Sequence, residues 1–466
     1  MSTIGDHHPW RSELRATLTL AWPLAGSQLA QIAMQTTDVI MIGWLGPEAL
    51  AAAALGSGLI FLPFVVCLGL AFATQPMIAQ AVGRRHAMVR DVRRSVRQGL
   101  WAIVALAAPM LAALWESAAL LGALGQDPAI AAAAESYVRA MIWGIVPMLW
   151  FMVLRGFAAA LGRPNAGLWV TLIVVVTNAF GNWILIFGNL GAPALGIVGA
   201  GMSSAVSGWL SFALMLAYIQ RDRRTRRFAL LGRFWRPDWS RFCEIFRLGL
   251  PIGSTLTLEV GLFVAAVMLM GLIGADALAA HQIAIQVASI TFMVPLGLAQ
   301  AATIRVGMFV GAGDAEGVRR AGWTAAVLAG AFMAIMALGM WTLPRLVVSI
   351  FVELANPDNA PVVELAVAIL AVAALFQIFD GLQAVGQGAL RGLKDTRVPM
   401  LIAAFGYWGV GFPTSVVLGF AVGLEGVGIW LGLALGLAAV AGLALTRFAR
   451  RDRLLLAGQG ALTSPT

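Results

Sequence analysis

Twelve long apolar runs, each parted from the next by a short polar break, constrain this chain more than any other feature. They fall near residues 14–43, 49–81, 93–114, 130–160, 166–188, 196–220, 243–272, 277–310, 319–342, 361–391, 398–421 and 426–448. A bilayer core of about 30 Å needs about 20 apolar residues per crossing helix, so each run can span it. Runs well beyond that length imply tilt, kinks or ends that reach water. Composition agrees: 60% of the 466 residues are hydrophobic and 11% are charged, against roughly 25% charged in a soluble domain. So little polar surface cannot cover a soluble globule. The runs are continuous Leu, Ala, Val and Gly, without the alternation of barrel strands, which leaves helices as the spanning element. The expected fold class is an all-α membrane protein with twelve transmembrane helices.

The formal net charge of +9 could suggest nucleic acid, but all but one of the 31 basic residues are Arg, and they are clustered. One cluster holds Arg84, Arg85, Arg90, Arg93, Arg94 and Arg97. The largest runs from Arg221 through Arg223, Arg224, Arg226, Arg227, Arg233 and Arg236 to Arg241. Smaller ones hold Arg305, Arg319 and Arg320, then Arg391, Lys394 and Arg397, then Arg447, Arg450, Arg451 and Arg453. The connections between them, at Gly46-Pro47-Glu48, Asn189 to Leu195, Gly274-Ala275-Asp276 and Leu424-Glu425-Gly426, have almost no basic residues. Such alternation is a topology signal that places both termini and the even-numbered loops in the cytoplasm. Cys67 and Cys243 exclude a disulfide framework and a metal-binding cysteine cluster. The short polar stretch up to Arg15 lacks the pattern of a removable signal peptide. The expected location is a bacterial inner (plasma) membrane, crossed many times.

The second half repeats the first. Pro23 in Trp22-Pro23-Leu24-Ala25-Gly26-Ser27 matches Pro251 in Leu250-Pro251-Ile252-Gly253-Ser254, 228 positions later. Gly46-Pro47-Glu48-Ala49-Leu50-Ala51-Ala52 matches Gly274-Ala275-Asp276-Ala277-Leu278-Ala279-Ala280 in the same register, as Val82-Gly83 does Val310-Gly311. Six helices per repeat is an even number, so both copies enter from the same side as parallel repeats, with a central cleft between two lobes. The expected division is an N-lobe over 1–222 with helices 1–6, a cytoplasmic Arg-rich linker over 223–241, a C-lobe over 242–450 with helices 7–12, and a cytoplasmic tail over 451–466.

Acidic residues deep in apolar runs are the sharpest chemical signal, because a carboxylate at the bilayer centre costs roughly 2.5–3.5 kcal/mol even on insertion scales. Three stand out: Asp38 in helix 1, Glu259 in helix 7 and Asp380 in helix 10. Each could instead be a helix-end residue that touches water or a structural hydrogen-bond acceptor. Polar neighbours Thr255, Thr257, Gln377 and Gln383 favour a site for Glu259 and Asp380. Carboxyls in such surroundings can exchange protons or Na⁺. Moving one positive charge inward gains roughly 2.3 kcal/mol per 100 mV, enough to drive a solute outward when the two compete. Asn178 and Asn182 share one face of helix 5 at i and i+4. With Asp38 and Ser204 they could form an oxygen-rich cation or proton site, or serve only as interhelical glue. His281 reads as structural. Gly311-Ala312-Gly313-Asp314 follows a membrane helix rather than a strand, so it is a poor nucleotide loop. The 19 Met and 23 Phe add adaptable apolar surface suited to loose recognition.

Taken together, these residues resemble the multidrug and toxic compound extrusion (MATE) transporters, and within them the NorM-like branch. The likeness rests on Trp22-Pro23 followed by Gln35-Thr36-Thr37-Asp38 and Gly43, on Pro251-Ile252-Gly253 with Glu259 and Ala280-His281-Gln282, and on Gln387-Gly388-Ala389-Leu390-Arg391-Gly392. The resemblance implies two six-helix lobes about a cavity and export of organic cations and amphipathic drugs against inward Na⁺ or H⁺. It implies a C-lobe coupling site at Glu259 and Asp380 with Gln282 as the neighbouring amide, and an N-lobe site at Asp38, Asn178, Asn182 and Ser204. Na⁺ could bind at those same residues. Phe292, Gln35 and Gln377 would line the substrate cavity. Phe292 is a departure, standing where some relatives use a tyrosine ring near the cation. Beyond the coupling ion we expect no cofactor. Expected partners are small amphipathic or cationic substrates and membrane lipids, not nucleic acid, and the expected state is a monomer. The alternatives are a lipid or lipid-linked oligosaccharide flippase, kept open by Arg139 and Arg155, and a membrane-embedded enzyme, disfavoured by the scarcity of His and Cys.

Overall fold

The computed structural model describes residues 9–232 and 234–451, and among these the regular structure is entirely helical. Arg233, Arg453 and all but the first residue of the expected tail lie outside the described residues. The six helices of the first repeat are α1 (Pro9–Gly43), α2 (Pro47–Arg84), α3 (Met88–Ala113), α4 (Pro128–Ala160), α5 (Pro164–Phe187) and α6 (Ile197–Arg221). Those of the second are α7 (Trp239–Ile273), α8 (Ala275–Ala312), α9 (Ala315–Thr342), α10 (Ala360–Gly392), α11 (Arg397–Ala421) and α12 (Glu425–Ala449). Eleven of the described helical segments are long and apolar enough to cross a membrane. The twelfth, α1, is 35 residues long and carries the glutamines and Asp38 noted above.

Local sequence explains where these helices begin. Pro47, Pro128 and Pro164 occupy first-turn positions, where the missing N–H is no loss and φ is already set for the helix. Asp127 caps α4 by accepting from the Ala129 and Ile130 N–H groups, and Asp314 caps α9 through the Gly317 N–H. The repeat is visible in the backbone itself. α1 and α7 are each 35 residues, α2 and α8 each 38. Gly46 and Gly274, equivalent in the two repeats, turn the chain at φ +112° and +153°, conformations that glycine adopts without steric cost.

The chain divides into two compact units: one of residues 26–253, the other of residues 1–25 with 254–466. Both boundaries therefore lie inside helices, just after Pro23 in α1 and Pro251 in α7, instead of in the Arg-rich segment that suggested a linker. Small residues account for this division. Within the first unit, Gly253 of α7 meets α2 so closely that a Cβ on it would stand 2.7 Å from the Val66 carbonyl oxygen. In the second unit, a Cβ on Gly297 of α8 would stand 2.6 Å from the Ala25 backbone nitrogen of α1. Those glycines admit a half-helix from the other repeat at backbone contact. Glu13 adds a buried ion pair with Arg305, whose Nε donates at 2.9 Å. The Arg-rich segment itself folds onto α3: Arg94 pairs with Asp238, Arg97 donates to the Gly232 carbonyl at 2.9 Å, and the Trp101 indole donates to the Phe234 carbonyl at 3.1 Å.

α11 departs from the simple helix expected over 398–421. It is π-helical over Phe405–Gly411 and again over Val417–Ala421. The Phe412 N–H donates to the Tyr407 carbonyl, and Val422 to Val417, each five residues back. Pro413 offers no N–H and its ring crowds the carbonyl four residues earlier, which favours the wider register. Glycines on both helices let α11 and α12 approach closely, and a Cβ on Gly411 would stand 3.3 Å from Gly436 Cα.

Candidate functional site

Among the described residues, each unit gathers polar side chains around the acids that lie within its apolar helices. In the unit of residues 26–253, α1 supplies Asp38 and α5 supplies Asn178 and Asn182, both fully buried. The Asn182 Nδ2 donates to Asp38 Oδ1 at 2.5 Å and lies 3.5 Å from Asn178 Oδ1. Ser203 Oγ donates to the Asn178 carbonyl at 3.1 Å and fixes that turn of α5 against α6. Asn182 Oδ1 and Asn178 Nδ2 lack a partner among the described residues. A buried orphan acceptor beside a carboxylate is a place where a proton or a hard cation would gain a ligand.

Asp38 also lines a cavity bounded by α1, α4, α5 and α6. Its wall includes Met34, Met141, Met148 and Phe151, with Gln31, Gln35, Thr171, Ser204, Ser207 and Ser211. Among the described residues of that wall, Asp38 is the one that carries a charge. The structure thus brings Asp38, Asn178, Asn182 and Ser204 to one locality and places Gln35 on the adjoining cavity. Arg155 is elsewhere: its side chain is buried, donates to Gln28 Oε1 at 3.0 Å and stacks over Phe151. Arg139 is tied outside the cavity to Glu135 at 2.8 Å and to Glu116.

In the other unit, α7 supplies Glu259, α10 supplies Asp380, Gln383 and Gln387 in successive turns, and the π-helical part of α11 supplies Tyr407. Gln383 Nε2 donates to Glu259 Oε1 at 3.0 Å and lies 3.5 Å from Asp380 Oδ1. On its other side, Gln383 Oε1 accepts from Tyr407 Oη at 2.7 Å and Gln387 Nε2 at 2.8 Å. The amide that joins the two acids is therefore Gln383, while Gln282 is exposed on α8. Consecutive helical residues point about 100° apart, so His281 turns inward and Gln282 does not. His281 is buried and accepts from the Trp430 indole N–H at 3.2 Å, a packing role. Gln377 is fully buried, accepts from Thr291 Oγ1 at 3.0 Å and holds α8 to α10. Phe292, next to Thr291, is half-buried in the same unit.

Gln387 and Tyr407 were not singled out for the site from sequence, although the spacing 380, 383, 387, 391 marks one polar stripe on α10. Tyr407 left no such mark, because an aromatic residue inside an apolar run reads as core. Among the described residues, no group of three or more His, Cys, Asp or Glu is placed to hold a metal ion. An ion at either cluster would need amide and hydroxyl oxygens as well as carboxylates.

A model of the MatE family matches residues 23–184 and 251–417, and the two matches begin 228 positions apart, as the repeats do. The chain is 55% identical to a probable multidrug resistance protein NorM of Mesorhizobium japonicum, over 96% of this chain and 95% of that one. It is 48% identical to a protein of the same description from Brucella suis, over 96% and 95% of the two chains. Among solved structures, a mutant of the Vibrio cholerae MATE transporter VcmN superposes with a TM-score of 0.86 at 17% identity, covering 96% of this chain and 99% of the other.

Proposed function

Because the chain belongs to the MatE family and is a multidrug efflux transporter, not an enzyme, we propose that it works by antiport, exchanging outward-moving organic cations and amphipathic drugs for inward Na⁺ or H⁺. The observation that carries this reading is the cavity wall on which methionine, phenylalanine and small polar residues surround one charge, the carboxylate of Asp38. An amphipathic cation would place its apolar body on the methionines, which adapt to varied shapes, and its charge near Asp38. Among the described residues of that wall none is basic and able to hold a lipid phosphate, which disfavours a flippase.

The coupling ion would compete for carboxylates. In one unit Asp38, Asn178 and Asn182 would receive it, with Ser204 at the cavity side. In the other, Glu259 and Asp380 would, and two acids that share one amide can take up one positive charge at less cost than either alone. Solute and ion that weaken each other's binding must do so reciprocally, and the inward ion gains roughly 2.3 kcal/mol per 100 mV. The clustering of Arg supports an orientation in a bacterial inner membrane with both termini on the cytoplasmic side. The transporter would act as a monomer with small cationic substrates, without nucleic acid.

Binding of tetraphenylphosphonium to the purified protein tests competition directly. Its dissociation constant should rise as pH is lowered or as Na⁺ is added, whichever is the coupling ion. A constant that ignores both ions would rule out antiport by competition.

A further inference from the structure

The hydrogen-bond pattern around Gln383 is directional. An amide oxygen has two acceptor sites and an amide nitrogen two hydrogens. Both acceptor sites on Gln383 Oε1 are filled, by Tyr407 Oη–H at 2.7 Å and by Gln387 Nε2–H at 2.8 Å. Its nitrogen is thereby turned to Glu259 at 3.0 Å and Asp380 at 3.5 Å. Gln383, Gln387 and Tyr407 are all buried, Tyr407 completely, so water cannot easily replace either donor. The wider register of α11 at residues 405–411 sets the direction of Tyr407, and π-helical insertions of this kind are frequent at functional sites.

We propose that Tyr407 and Gln387 are positioning residues for the coupling site. By occupying the Gln383 oxygen they keep its N–H groups on Glu259 and Asp380, where those groups compete with the coupling ion for carboxylate lone pairs and speed its release. Without Tyr407 Oη, the Gln383 amide is free to turn over. Its oxygen would then face the acids and add a ligand for Na⁺ or an acceptor for a protonated carboxyl. The ion would be held more tightly and leave more slowly. Other titratable groups of neighbouring elements are Arg391, whose Nε lies 3.4 Å from the Gln387 carbonyl, and His281, bonded to Trp430. The Arg391 guanidinium acts on Glu259 through its charge, and neither Tyr407→Phe nor Gln387→Met removes that charge. This inference rests on the reading of Glu259 and Asp380 as the coupling pair.

Ethidium efflux by the full-length protein in proteoliposomes tests it, with the coupling-ion concentration varied. Tyr407→Phe should lower the half-saturating ion concentration about tenfold, about one pH unit alkaline if the ion is H⁺, and lower the maximal rate. Damage to packing would weaken ion binding, the opposite sign. In a Gln383→Leu background, Tyr407→Phe should lose most of its effect, because the greater part of its action runs through that amide, with a smaller part through its own approach to Glu259. Unchanged ion dependence in Tyr407→Phe, weaker ion binding, or an undiminished Tyr407→Phe effect in the Gln383→Leu background would overturn the proposal. If Tyr407→Phe does not accumulate, Gln387→Met removes the second donor on the same oxygen and should shift the dependence in the same direction. Glu259→Gln in the same assay separates the two levels. Normal ion dependence in Glu259→Gln would overturn the coupling pair itself. Loss there beside unchanged Tyr407→Phe would overturn the positioning role alone.

Discussion

Asp38 can be neutralised without disturbing its shape, since asparagine keeps the size of the side chain beside Asn182. Asp38→Asn should weaken ethidium binding by tenfold or more, a loss of about 1.4 kcal/mol per decade, while a neutral amphipathic dye of similar size loses little. Fluorescence titration of both dyes checks this, and equal losses would mean that Asp38 shapes the cavity and does not attract charge. At this scale the acids were legible, because a carboxyl in an apolar run is costly enough to need a reason. The pair Asn178 and Asn182 was legible through helical spacing, and the structure joins Asn182 to Asp38. Gln282 was misjudged as the amide partner because adjacency in sequence does not reveal which way a helix turns. Tyr407 was invisible for a related reason: its hydroxyl matters only once α11 and α10 are packed.

The boundaries of the helices follow the runs of the sequence within a few residues, since proline, glycine and aspartate at their ends are local signals. What the runs conceal is how helices meet. On α8, Gly297→Ala should lower the melting temperature, because the added Cβ would press on Ala25 backbone atoms 2.6 and 2.8 Å away. Overpacking of that kind costs about 1–3 kcal/mol. Gly271→Ala in α7, where the new atom meets nothing within 4 Å, should leave the melting temperature unchanged or slightly raised. Equal melting temperatures for the two variants would show that the α1 and α8 contact is looser than described. The π-helical register of α11 was likewise hidden, since Phe405 to Ala421 reads as one apolar helix. Pro413→Ala removes the ring that opposes α-helical register. It should reproduce the ion dependence of Tyr407→Phe, although residue 413 lies a turn and a half away. A wild-type ion dependence in Pro413→Ala would show that the glycines facing α12 alone set that register.

For the molecule as a whole, the repeat of 228 positions was written in the letters and reappears in paired helix lengths, paired glycine turns and the two family matches. The two units were harder to read. A polar Arg-rich segment at 223–241 looks like the natural seam, but backbone contact at Gly253 and Gly297 assigns the first part of α1 and of α7 to the opposite repeat's unit. Pro23 and Pro251 each lie two residues before the position at which the helix changes unit.

The central claim is that ion uptake by buried acids drives the outward movement of a cation. Ethidium efflux from cells, with an imposed Na⁺ gradient and then an imposed pH gradient, tests it for the wild type, Glu259→Gln and Asp380→Asn. The account predicts efflux under one gradient and at least tenfold slower efflux in both variants under that same gradient. Wild-type efflux indifferent to both gradients, or variants that respond as the wild type does, would contradict it.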